Sequence, residues 1–185
     1  MRKGIGVVIL GIFLISGGWA GAARAQDKKS TEPASRQNLI KEVRHQLLLL
    51  PYYSVFDNLS FRIDRDTVTL EGQVVRPTLK SDAESAVKSI EGVSAVVNNI
   101  EVLPVSPMDD SVRRAVYRAL YGDSVLSKYA YSSVASIHII VKNGNVTLEG
   151  VVDNESDKNL ANLRANAVPN VFSVKNNLTV VGGSK

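Results

Sequence analysis

Five consecutive residues, Val68-Thr69-Leu70-Glu71-Gly72, return unchanged as Val146-Thr147-Leu148-Glu149-Gly150. The offset holds without a gap from Val68 and Val146 to Val102 and Val180, and thirteen of the thirty-five paired positions are identical. The identities include Lys80/Lys158, Ala83/Ala161, Val96/Val174 and the pair Asn98-Asn99/Asn176-Asn177. Unrelated segments would share roughly two, so the chain carries a true internal repeat and must build two like units.

Each unit reads in the same order. From about Arg36, Leu39, Ile40, Val43, Leu47 and Leu50 fall on one helical face, and Pro51 closes the segment. Leu48 and Leu49 lie off that face. Leu59, Phe61 and Ile63 alternate with polar residues as in a half-buried strand, and Asp64 to Asp66 make a turn into a second strand, Val68 to Val75. Gly72 marks a bulge or a close helix crossing there. Thr78 is placed to cap a helix that turns Leu79, Ala83, Ala86, Val87 and Ile90 inward. Gly92 ends it, and Val93 to Val102 form a third strand. The second unit repeats this with a helix from Asp110 to Tyr121, strands Ile137–Lys142 and Asn145–Val152 joined through Asn143-Gly144, a helix from Ser156 to Val168, and a last strand Val171–Val181. It carries about five extra residues between first helix and first strand, in Gly122 to Ser136.

The predicted class is α+β: two tandem α-β-β-α-β domains, each a three-stranded sheet with two helices on one face and the other face open. A complete element set in each unit predicts that each folds on its own. The boundaries are a signal peptide over 1–25, a flexible tether over 26–35, domains over 36–103 and 108–181, a linker over 104–107 and a tail over 182–185.

The leader rests on Arg2-Lys3, an uncharged run from Gly4 to Ala23 and the small-x-small site Ala23-Arg24-Ala25. That pattern predicts export with cleavage after Ala25, the alternative being retention as an anchor, since the uncharged run could just span a bilayer. The net charge of +4 overstates the basicity, because the leader holds three basic residues and no acid, leaving 19 basic against 18 acidic. A near-neutral mature chain argues against a nucleic-acid partner. With no cysteine, disulfides, thiol chemistry and a lipid-modified N-terminal cysteine are excluded.

The order of elements, with Val43-Arg44 and Leu47, then Val68 to Val74, then Gly92-Val93-Ser94-Ala95-Val96-Val97-Asn98-Asn99, resembles the BON domain (bacterial OsmY and nodulation). Val116 and Leu120, Val146 to Gly150 with Val152, and Val171 to Leu178 carry the resemblance a second time, with Asn170 in place of Gly92. The resemblance implies an OsmY-like stress-response protein of the bacterial periplasm or cell envelope, attaching to phospholipid or assisting envelope proteins without catalysis.

Catalytic and metal patterns are missing from the sequence. His45 and His138 have no spaced partner, and Asp64/Asp66 and Asp109/Asp110 do not match a calcium loop. No cofactor and no metal are expected. On a helical wheel, Val112, Ala115, Val116, Ala119 and Leu120 cluster on one side, opposite Arg113, Arg114, Tyr117, Arg118 and Tyr121. Those five form the candidate phospholipid-binding face, arginine drawing lipid phosphate and tyrosine settling at headgroup depth. The rival reading is a chaperone-like or assembly module that holds protein clients at a sheet edge or open face.

Overall fold

A computed structural model of the chain describes residues 31–131 and 135–181. The leader with its cleavage site, the first half of the tether and the tail lie outside the described residues. The first unit comprises α1 (Thr31–Leu48), β1 (Asn58–Asp64), β2 (Thr67–Val74), α2 (Pro77–Lys88), β3 (Ala95–Asn98) and β4 (Glu101–Val102). The second comprises α3 (Pro107–Tyr121), β5 (Ile137–Lys142), β6 (Asn145–Val152), α4 (Glu155–Asn166), β7 (Ser173–Asn176) and β8 (Thr179–Val180). In each unit the repeated strand is central. β2 pairs antiparallel with β1 and parallel with β3 and β4, and β6 does the same with β5, β7 and β8. No helix among the described residues is long and apolar enough to cross a membrane.

The helices cover one face of each sheet, as the patterning predicts. Val43, Leu47, Leu79, Ala83 and Val87 close on Val68, Leu70 and Val74 in the first core, while Leu48 and Leu49 stay exposed. In the second, Val112, Val116, Leu120, Ala161 and Ala165 close on Ile137, Ile139, Val141, Val146, Leu148 and Val152. The longer loop of the second unit adds to this core, because the 3-10 turn Leu126–Ala130 buries Leu126 and Tyr129. Tyr129 is held by its hydroxyl, which donates to Asp157 and accepts from the Asp153 amide at 2.8 Å.

The repeated motif serves the backbone. Gly72 and Gly150 have φ of +116° and +122°, and a Cβ on either would lie 2.0 Å from a backbone carbonyl oxygen where the neighbouring strand starts, that of Asn58 or of Ser136 just before β5. The expected bulge is not there, since the β1–β2 register runs unbroken through Gly72, and the close approach comes from a strand rather than a helix. The paired asparagines explain a second departure, the break of each third strand into two pieces. Asn98 Nδ2 donates to the Lys80 carbonyl at 2.8 Å while its Oδ1 accepts from the Ile100 amide. Asn176 repeats both bonds with Lys158 and Leu178. The strand is thereby fastened to the helix, and Ile100 and Leu178 are turned into the cores.

Helix starts differ from the sequence reading in a consistent way. α3 begins at Pro107, inside the expected linker, with Ser106 accepting from the Asp109 amide, and α1 begins at Thr31, inside the expected tether. Proline is tolerated in a first turn because that amide has no intrahelical acceptor. For the same reason α2 begins at Pro77, and Thr78 does not cap it. Asn170 takes φ +67° where Gly92 has +91°, so the same left-handed turn follows both crossover helices.

The units do not sit as separate beads. The loop between α1 and β1 lies against the second unit, with Val55 and Phe56 packed on its core and the Ile139 amide donating to the Val55 carbonyl at 2.8 Å. Tyr53 covers His138 at 5.6 Å between ring centroids, so the far face of β5 is not open as expected: His138 and Ile140 are both buried. An exposed pair, Glu101 and Lys142, also joins the units and contributes little. Burial holds the His138 pKa below its ordinary 6.5 against the opposing pull of the Asp57 and Ser54 carbonyls. The unfolded chain therefore takes up a proton that the folded chain resists, and stability should fall as pH drops from about 6.5 towards that lowered value. Urea midpoints measured from pH 7.5 to 5 should show the decline, and His138→Gln should flatten it.

Candidate functional site: the third helix and the strand edge beneath it

The candidate face divides once side chains are placed. β5 is an edge strand, and the Ile139 bond to Val55 shows that Ile137, Ile139 and Val141 turn their backbone groups away from β6. Such groups need partners or they recruit another chain. Arg113, Tyr117 and Tyr121 stand four residues apart on α3 and run along this edge. Arg113 Nη2 donates to the Val141 carbonyl at 2.7 Å, and the Tyr121 hydroxyl donates to the Ile137 carbonyl. Tyr117 packs edge-on against Phe56 at 6.1 Å and against Tyr121 at 4.9 Å. Three points along β5 are thus closed, by Arg113, Val55 and Tyr121.

Arg113 therefore does not belong to the solvated face where the wheel puts it. It is 3% exposed and also pairs with Asp110. Tyr121 is half-buried, and burial drives its hydroxyl pKa well above the ordinary tyrosine value. What remains outward is Arg114, Arg118 and the partly exposed ring of Tyr117. Arg114 and Arg118 are one turn apart, and neither makes a hydrogen bond or ion pair among the described residues. Arg118 also lines a groove of about 680 Å³ between α3 and α4, together with Arg164, which is neutralised by Asp123 at 2.7 Å.

The first unit caps one of the equivalent points in the same way and leaves another without a backbone partner among the described residues. Ile63, the counterpart of Val141, has its carbonyl capped by Arg36 at 3.1 Å. Phe61, the counterpart of Ile139, has no cross-edge backbone partner among the described residues. Lys41, Glu42, Arg44 and His45 on α1 are exposed and mixed in sign.

The buried carboxylates are structural. Asp109 accepts the Asn143 and Gly144 amides at 2.8 Å each and so grips the β5–β6 hairpin. Asp57 accepts from Ser54 and, at 2.7 Å, from the Val75 amide. Among the described residues no group of three histidine or carboxylate side chains suits a metal ion. Edge-capping escaped the sequence reading, although the four-residue spacing of Arg113, Tyr117 and Tyr121, opposite a strand apolar on both faces, is a signal for it.

Two tandem α-β-β-α-β units, each with a mixed sheet covered by helices on one face, define an α+β protein built on an internal repeat. The BON domain family model matches residues 36–104 and again 109–182, and the chain belongs to that family. Osmotically-inducible protein Y of Escherichia coli (strain K12) is 31% identical over 124 residues, 65% of this chain. The chain spans 61% of that relative's length. Two solved structures of CdsD, a structural protein of the type III secretion system of Chlamydia trachomatis, align over 77% of this chain and 97% and 92% of theirs, at 15% and 16% identity. Both have a TM-score of 0.28, too loose a superposition to carry an argument.

Proposed function

We propose that this is a non-catalytic, exported protein of the bacterial periplasm or envelope that binds anionic phospholipid membranes through its second unit. The leader pattern over residues 1–25 supports export, and the osmotic induction in the relative's name supports a stress-response setting. The observation that carries the membrane reading is the unpaired Arg114 and Arg118 beside the partly exposed Tyr117. Arg113 and Tyr121, engaged with β5, act as the rigid backing of that face rather than as ligands. Each arginine near an anionic surface contributes about 1 kcal/mol, so two give weak attachment that tyrosine burial must supplement. The mature chain should float with vesicles rich in phosphatidylglycerol and not with neutral phosphatidylcholine vesicles. Flotation should fade towards molar salt, where the Debye length is roughly 3 Å. Equal flotation with both lipids would reject the reading.

The open edge of β1 at Phe61 favours one second reading, capture of an extended client segment by strand addition. Absence of flotation together with protection of the Phe61 amide by a bound client peptide would move that reading ahead.

A further inference from the structure

Between the α1–β1 loop and the start of α3 lies a cleft of about 460 Å³, within the size range of small-molecule sites and at a domain junction, where such sites concentrate. Tyr52 and Phe56 supply apolar walls, and Arg76, Arg113 and Arg114 converge on it. Two carboxylates also line it. Asp57 is fully engaged by Ser54 and the Val75 amide, and Asp110 is paired with Arg113. Arg76 lies 4.7 Å over the Tyr52 ring and, like Arg114, has no ion pair among the described residues. Only two buried side-chain polar atoms among the described residues lack a hydrogen-bond partner, Arg113 Nε and His138 Nδ1, and both belong to this junction. A buried guanidinium N–H without an acceptor is unusual, and a ligand oxygen at the cleft wall is one group able to supply it.

We propose that this inter-unit cleft is a binding site for a phosphate ester that carries an apolar group. Guanidinium forks match phosphate oxygens, and the aromatic walls take the apolar part. The cleft shares Arg114 with the proposed membrane face and differs from it in Arg76 and Tyr52, which come from the first unit. The mature chain is titrated with phenyl phosphate, inorganic phosphate and dihexanoylphosphatidylglycerol below its micelle concentration, following the amide signals of Tyr52, Val75 and Arg76 and the Arg113 Nε–H signal by NMR. Saturable shifts confined to these signals are expected, weaker for inorganic phosphate, with at least a tenfold loss of affinity in Arg76→Gln. Tighter binding of the lipid than of phenyl phosphate would assign the cleft to a headgroup, and the reverse to a soluble ester. No saturable shift with any probe, or an unchanged curve in Arg76→Gln, overturns the proposal. Arg76→Gln should leave vesicle flotation driven by Arg114 and Arg118 in place, which keeps the two readings separable.

Discussion

Gly150→Ala should cost more than about 4 kcal/mol and leave the second unit largely unfolded, with Gly72→Ala doing the same to the first. Left-handed backbone charges an L-residue roughly 1–2 kcal/mol on its own. The larger part comes from the 2.0 Å approach of the new methyl to the Ser136 carbonyl. That oxygen accepts the Val151 amide at 3.1 Å, so moving it aside opens the end of the β5–β6 ladder. Gly92→Ala is the control: its φ is +91° but a Cβ meets nothing within 4 Å, so only the backbone cost of roughly 1–2 kcal/mol applies. Urea unfolding followed by circular dichroism separates the cases. Gly92→Ala should keep a cooperative transition near that of the parent, whereas Gly150→Ala should lose amplitude at zero denaturant.

Arg113→Met should destabilise by roughly 2–4 kcal/mol although it lies next to a freely exchangeable arginine. It strips the donor from the Val141 carbonyl on an edge strand buried on both faces. Its ion pair with Asp110 adds less, because that carboxylate is 45% exposed. Arg114→Met should change stability by no more than about 0.5 kcal/mol, as an exposed side chain without partners. The comparison is best made by urea midpoints at pH 7.5, where His138 is neutral in both folded and unfolded chains.

These two cases also mark how far the sequence could be read. Period placed the four helices and the strands β1 and β2, which bury one face against a single core, and the repeat carried that order to β5, which is buried on both faces. The identity of Gly72 and Gly150 announced a special backbone position, but its cause, a carbonyl on the preceding strand, depends on cross-strand register rather than on local pattern. The double asparagines likewise repeat visibly, while their bonds to Lys80 and Lys158 backbone need the helix-to-strand approach to be known. Arg113 and Arg114 are one residue type one step apart, and a helical wheel puts both outside the apolar stripe. Only the position of β5 makes one a buried cap and leaves the other in solvent. The docking of Val55 and Phe56 on the second core was hidden for a related reason, since nothing within either unit specifies how the two pack.

The division of the α3 face is tested most directly by Arg114→Glu with Arg118→Glu, measured for urea midpoint and for flotation with phosphatidylglycerol vesicles on the same preparation. The midpoint should stay within about 0.5 kcal/mol of the parent, since both side chains are exposed and unpaired, while flotation is lost. The same change at Lys41 and Arg44 on α1 should leave flotation in place. A double variant that keeps its midpoint and still floats like the parent would contradict the account, because the membrane would then be held by some other surface.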